Sequence, residues 1–175
     1  MKRYFCLLMA LFMMCCGLTL SSCTNEPVEV PIPEGYQVYD NGAISFAYPE
    51  GWTKTDGSTV ILTNPDGSGN NITVVYENKT DLYATMDVEG FNDKIKPSLE
   101  AAGMSVSNVS VTQTENAGGF DLTKMSYSAS FSGVNMTQTL YILNTKDKTY
   151  VVTITETTPD TALKKNVLDT LKTVK

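Results

Sequence analysis

Between Val106 and Glu156 the chain holds four segments that read as long β-strands, joined by connections too short for anything but hairpins. They are Val106–Thr114, Phe120–Phe131, Asn135–Leu143 and Thr149–Glu156. Met125, Tyr127, Ala129 and Phe131 fall on one face of the second, and Tyr150, Val152 and Ile154 on one face of the fourth. Gly118-Gly119, Ser132-Gly133 and Lys146-Asp147 mark the turns. A parallel crossover needs a dozen or more residues, so these strands must form an antiparallel sheet.

Shorter strands precede them. Tyr36–Tyr39 and Ala43–Tyr48 flank Asp40-Asn41-Gly42, and Trp52–Thr55 and Thr59–Thr63 flank Asp56-Gly57. Asn64-Pro65-Asp66-Gly67 is a turn with proline at its second position, and Ile72–Glu77 is the next strand. The period then becomes helical: Val88, Phe91, Ile95, Leu99 and Ala102 lie on one stripe, and Gly103 stops it. Pro97 should kink that helix or split it. A second helix is expected at the end, capped by Thr158, with Pro159 in its first position and Leu163, Val167, Leu168, Leu171 and Val174 as its apolar stripe. The fold class is therefore α+β, an antiparallel sheet flanked by two helices.

The first 35 residues differ in kind. Lys2 and Arg3 precede an uncharged, mostly apolar run to Leu18, too short to span a bilayer and proportioned as a signal-peptide core. Leu20-Ser21-Ser22-Cys23 is similar to the lipobox of bacterial lipoproteins. That resemblance implies cleavage between Ser22 and Cys23 and lipid attachment at Cys23. Residues 1–22 are then the signal peptide and 23–35 a lipidated, Pro/Glu-rich tether, with a folded domain over 36–175. Two or three acyl chains anchor durably where one does not. The address is the cell envelope, on the outer face of the cytoplasmic membrane or on the outer membrane.

Chemistry is bounded by missing residue types. The chain of 175 residues has no His, its sole Arg is Arg3, and its cysteines are Cys6, Cys15, Cys16 and Cys23. Beyond Cys23 no imidazole, thiol or guanidinium remains, so His-based triads, imidazole or thiolate zinc sites and arginine clamps are excluded. General acid–base work falls to Asp, Glu, Lys or Tyr. The net charge is −6, and −8 once Lys2 and Arg3 are removed. Nucleic acid is no partner for such a chain, because its binding rests on phosphate neutralisation. No cofactor, catalytic residue or metal ligand is expected.

Ile44-Ser45-Phe46-Ala47-Tyr48-Pro49-Glu50-Gly51-Trp52 resembles the opening motif of PsbP-like domains, and Tyr150–Thr155 with the closing Leu-Lys-Thr-Val resembles their ending. That superfamily spans photosystem PsbP proteins, Ran-binding Mog proteins, and bacterial envelope proteins such as DcrB and LpqN. The resemblance implies an α/β/α sandwich and a non-enzymatic, protein-binding or accessory role. It transfers no site residue. Phe46, Tyr48, Pro49, Gly51 and Trp52 are a structural motif: Pro49 ends the strand and Gly51 turns Trp52 back onto the core.

The remaining candidates read as structure. Asp66, Ser68, Asn70 and Glu77 match positions 1, 3, 5 and 12 of a calcium loop, but Asn71 stands where that loop needs glycine, so a hairpin is expected. Asp87, Glu89 and Asp93 suit a helix start. Ser- and Thr-rich strand faces could bind a sugar or a peptide. The expected role is a membrane-anchored module binding an envelope protein; the alternatives are a small-ligand-binding lipoprotein serving a transporter or sensor, and a carboxylate-based hydrolase.

Overall fold

The computed structural model describes residues 31–79, 83, 86–115, 121–145 and 147–173. The expected signal peptide and its expected cleavage site at Ser22 and Cys23, most of the expected tether and the Gly118-Gly119 turn lie outside them.

A small sheet comes first. Strands β1 (Tyr36–Asp40) and β2 (Ile44–Pro49) form an antiparallel hairpin, with Tyr36 opposite Pro49. Asn41 shapes its turn by accepting the amides of Ala43 and Ile44 (3.0 and 2.9 Å). Strands β3 (Thr53–Thr55), β4 (Val60–Thr63) and β5 (Asn71–Asn78) then begin the large sheet. Helices α1 (Val88–Lys94) and α2 (Lys96–Ala101) follow. The long strands are β6 (Ser105–Glu115), β7 (Asp121–Phe131), β8 (Val134–Asn144) and β9 (Lys148–Glu156). Helix α3 (Thr161–Thr170) and the two-residue β10 (Lys172–Thr173) close the chain.

The large sheet has seven strands in the order β3-β4-β5-β9-β8-β7-β6, all pairs antiparallel. The Ser132-Gly133 turn has positive φ at both residues (51° and 83°), the geometry that matches strand twist across a two-residue hairpin. Period-two alternation gives each face its own core. Tyr141, Leu143, Tyr150, Val152 and Ile154 pack with Phe46, Leu163 and Val167 on one side. Ile142, Val151, Met125 and Tyr127 pack with Phe91, Ile95 and Leu99 on the other. The layers are therefore α1–α2, the large sheet, and α3 with the small sheet, an α/β/α sandwich.

The helices refine the expectations. The first stripe is split at Ile95, and Pro97 sits in the first turn of α2, where a missing N–H costs nothing. Asp87 caps α1 by accepting Gly90 N–H at 2.7 Å. Val88 and Ala102, the ends of the stripe, stay exposed, because two short bent helices cover less sheet than one straight one.

The last helix begins later and ends sooner than expected. Its cap is Asp160, which accepts Leu163 N–H at 2.8 Å, and not Thr158. Pro159 disfavours helical backbone at Thr158. Thr158 is instead held by Asn70, whose amide donates to its carbonyl and accepts its N–H. Leu171 leaves the helix at ψ 120°, and Lys172 pairs with Ser45 of β2. The β1-β2-β10 sheet is thus drawn from both ends of the domain.

The small sheet and α3 are joined by a buried hydrogen bond from Ala47 N–H to Thr170 Oγ1 (2.8 Å). Thr170→Val leaves that amide without an acceptor and should lower unfolding free energy by about 1–3 kcal/mol, measurable by denaturant titration. Phe46→Ala, which empties a fully buried site, should lower it by about 3–5 kcal/mol in the same assay.

Candidate functional site

The proposed opening motif is structural throughout. Phe46 and Tyr48 are buried in the first core, with Phe46 stacked 5.0 Å from Tyr39. Pro49 is the last residue of β2. Gly51 has φ 78°, a conformation that costs other residues energy, and it returns Trp52 against the first core.

The calcium-like series is taken apart by the strand. The Ser68 hydroxyl, and then the Ser68 N–H that Asp66 Oδ1 accepts (2.7 Å), hold the Asp66 carboxyl below the usual range. Asn70 is buried and binds Thr157 and Thr158. Glu77 lies seven residues along β5, ~23 Å away at about 3.3 Å per residue. Ser68 and Asn70 thus serve a hairpin loop clasped to the β9–α3 junction.

A different feature emerges where α3 and the small sheet stop short of β6 and β7. That end of the sheet face carries hydroxyls in register. Ser107, Ser128, Thr137 and Glu156 are successive partners across four strands, and Ser105, Ser130 and Asn135 form the next row. Together with Pro159 at the approach to α3 they line an open groove of about 330 Å³. At Asn108 (φ 54°) β6 carries a bulge, which keeps Val106, Val109 and Val111 all on the α1–α2 side and the serines on the groove side.

Among the described residues Glu156 is the one ionisable residue lining that groove. Its side chain is 1% exposed, a costly place for a carboxylate unless its oxygens are satisfied. Lys164 Nζ donates to both oxygens (2.9 and 2.6 Å), and Asp160 N–H donates to Oε1 (2.6 Å). The carboxylate is consumed in fixing the start of α3. Among the described residues no second carboxylate lines the groove to make the paired acid and base of a glycosidase. What the groove offers is neutral donors and acceptors on rigid strands.

Tyrosines add rigidity on both faces. Tyr141 OH donates to the Lys164 carbonyl (3.0 Å), and Tyr127 OH donates to Gln138, whose amide donates to Thr155 (3.2 Å). Burial pushes both phenols up to about 12; at Tyr141 the charges of Glu156 and Asp169 add to it.

The fold is thus an antiparallel α/β/α sandwich with an open, hydroxyl-lined groove on one sheet face. The family follows from comparison: residues 34–175 match the PsbP family model, and the chain belongs to the PsbP family. Its fold is similar to that of cyanobacterial PsbP, CyanoP, from Synechocystis sp. PCC 6803, with a TM-score of 0.56 at 14% identity over 78% of this chain and 86% of that one. A Bacteroides thetaiotaomicron protein aligns at 17% identity and TM-score 0.48 over 75% of this chain, which spans 45% of that protein. A Pseudomonas aeruginosa protein of unknown function, titled a putative regulator, aligns at 15% identity and TM-score 0.37 over 70% of this chain and 83% of that one. No curated protein matches the chain significantly.

Two measurements follow. Glu156→Gln keeps the shape but removes the charge that Lys164 and Asp160 N–H bind, and should destabilise the fold by about 1–3 kcal/mol in a denaturant titration. The tyrosines give a pH dependence. Unfolded tyrosine releases its proton near pH 10. Between there and about 12 the unfolded chain has lost protons that folded Tyr127 and Tyr141 keep, so the stabilisation they supply is complete below pH 10 and lost as pH rises towards 12. Absorbance titration of the phenols should show two late ionisations, one removed by each of Tyr127→Phe and Tyr141→Phe.

Proposed function

We propose that the protein is a lipoprotein of a bacterial cell envelope whose PsbP-family domain is a non-enzymatic accessory module that holds another envelope protein. The observation that carries the non-enzymatic part is Glu156: the groove's ionisable group is buried and bound on both oxygens by the fold's own donors. The anchoring part rests on the sequence. Lys2 and Arg3, the apolar run and Ser22-Cys23 carry it. Among the described residues no helix is long and apolar enough to cross a membrane. With a lipid on Cys23, the tether meets the domain at β1, where Glu50 N–H donates to the Gly35 carbonyl (2.9 Å) just before the turn into β3.

A second reading, a small-ligand-binding lipoprotein, is favoured by the hydroxyl rows alone. Such a row suits a sugar or another neutral polar molecule, held by hydrogen bonds rather than charge.

The anchor is tested by fractionation and intact mass. The native chain should sediment with membranes at the mass of a diacylated or triacylated polypeptide beginning at Cys23. Cys23→Ala should release it to the soluble fraction or leave the signal uncut. A native chain that begins elsewhere, or carries no lipid, overturns the reading. The accessory role is tested by crosslinking the full-length protein in its own envelope: one reproducible partner, reduced in Cys23→Ala, is the expected result.

A further inference from the structure

The two edges of the large sheet are treated very differently. The β3 edge is three residues long and carries Lys54, paired with Asp56 at 3.0 Å. Short length and a lysine are the usual guards of a strand edge. The β6 edge is eleven residues long, reads Ser-Val-Ser-Asn-Val-Ser-Val-Thr-Gln-Thr-Glu, and contains no Lys, Arg or Pro. Its single charged residue is its last, and its one irregularity is the bulge at Asn108. Among the described residues no strand neighbours its outer row of N–H and C=O groups. From Ser105 to Gln113 all its residues but Val106, Val109 and Val111 are exposed.

We propose that β6 is a docking edge for an extended segment of a partner protein, one that alternates apolar with polar residues and carries net positive charge. The proposal rests on the binding-module reading and names its surface. Main-chain pairing with a free edge supplies affinity, and alternate side chains supply selectivity. On one side of β6 an added strand would continue the Val106, Val109 and Val111 row, next to the half-exposed Phe131 and Val134 at the hairpin end. On the other it would continue the hydroxyl rows of Ser107, Ser110 and Thr112.

Charge selects the occupant. The helix layer beside β6 carries Asp87, Glu89, Asp93 and Glu100 against Lys94 and Lys96. On the sheet itself Lys124, opposite Thr112, is the nearby cation. Residues 36–175 carry 11 lysines against 16 acidic residues, a net charge of −5, so a basic segment is attracted, whereas a second copy would bring two like-charged bodies together.

The test uses the full-length lipidated protein in dodecyl maltoside micelles. The probe is the peptide acetyl-Lys-Val-Thr-Val-Lys-Val-Thr-Val-Lys-amide, and its counterpart has Glu in place of each Lys. The lysine peptide should bind saturably below about 1 mM and slow amide exchange in β6 but not in β3. The glutamate peptide should bind at least about tenfold more weakly. The double variant Ser110→Lys/Thr112→Lys, altered at two exposed positions, should bind the lysine peptide at least about tenfold more weakly while its unfolding transition stays put. Lys54→Glu, on the far edge, should bind it as the native chain does. No saturable binding, protection away from β6, or equal binding of both peptides overturns the proposal. So does a peptide-free dimer that protects β6, which would make a second copy the occupant. Loss of the Cys23 anchor would leave all these readouts intact, so the two ideas fail separately.

Discussion

Strand β9 cannot face water on either side. All of its nine residues except Lys148 and Thr153 are buried, and they alternate between two separate cores. A strand buried on both faces needs a cover on each, and the chain supplies two of unequal size. The α1–α2 pair covers one face; α3 and the β1-β2-β10 sheet cover the other. Because the second cover ends at Glu156 and Pro159, the outer strands emerge with one polar face bare. The groove is thus what remains when β9, and not β7, is given the full sandwich.

The same junction shows how the protein handles a nearly buried ion pair. A carboxylate with 1% of its surface exposed faces a desolvation cost of several kcal/mol. Glu156 offsets it with Lys164, which still reaches solvent, and with the free N–H of Asp160 at the head of α3. Asn70 clasps the next two residues to the β4–β5 loop. Strand end, helix start and hairpin loop are therefore fixed by side chains from three elements, which leaves little freedom for chemistry there.

Most of the fold was legible because its signals are local. Alternation in β7 and β9, the turn at Ser132-Gly133 and the break imposed by Pro97 each act within a few residues. What sequence could not show depends on distant partners. Thr158 looks like a helix cap until Asn70, 88 positions earlier in the chain, claims its backbone. Lys172 reads as part of the last helix until Ser45 offers a strand to pair with. The serines of β6 and β7 were visible as a polar strand face, but their register with Thr137 and Glu156 required the pairing of four strands. Asn108 explains a further miss: without its bulge, Val106, Val109 and Val111 cannot share one face. The length of β6 was readable, whereas its place at the edge of the sheet was not.

The clasp between Ala47 and Thr170 spans 123 positions, and β2 receives its last strand from Lys172 and Thr173. A chain that emerges amino-terminus first presents β2 early and the elements that cover it last. Until then Ile44, Phe46 and Tyr48 have no α3 to pack against, and closing so long a loop is entropically slow. The domain therefore cannot lock shut while its carboxy-terminal residues are still confined elsewhere. Completion of folding thus waits on Thr170, Lys172 and Thr173, the residues that close over β2.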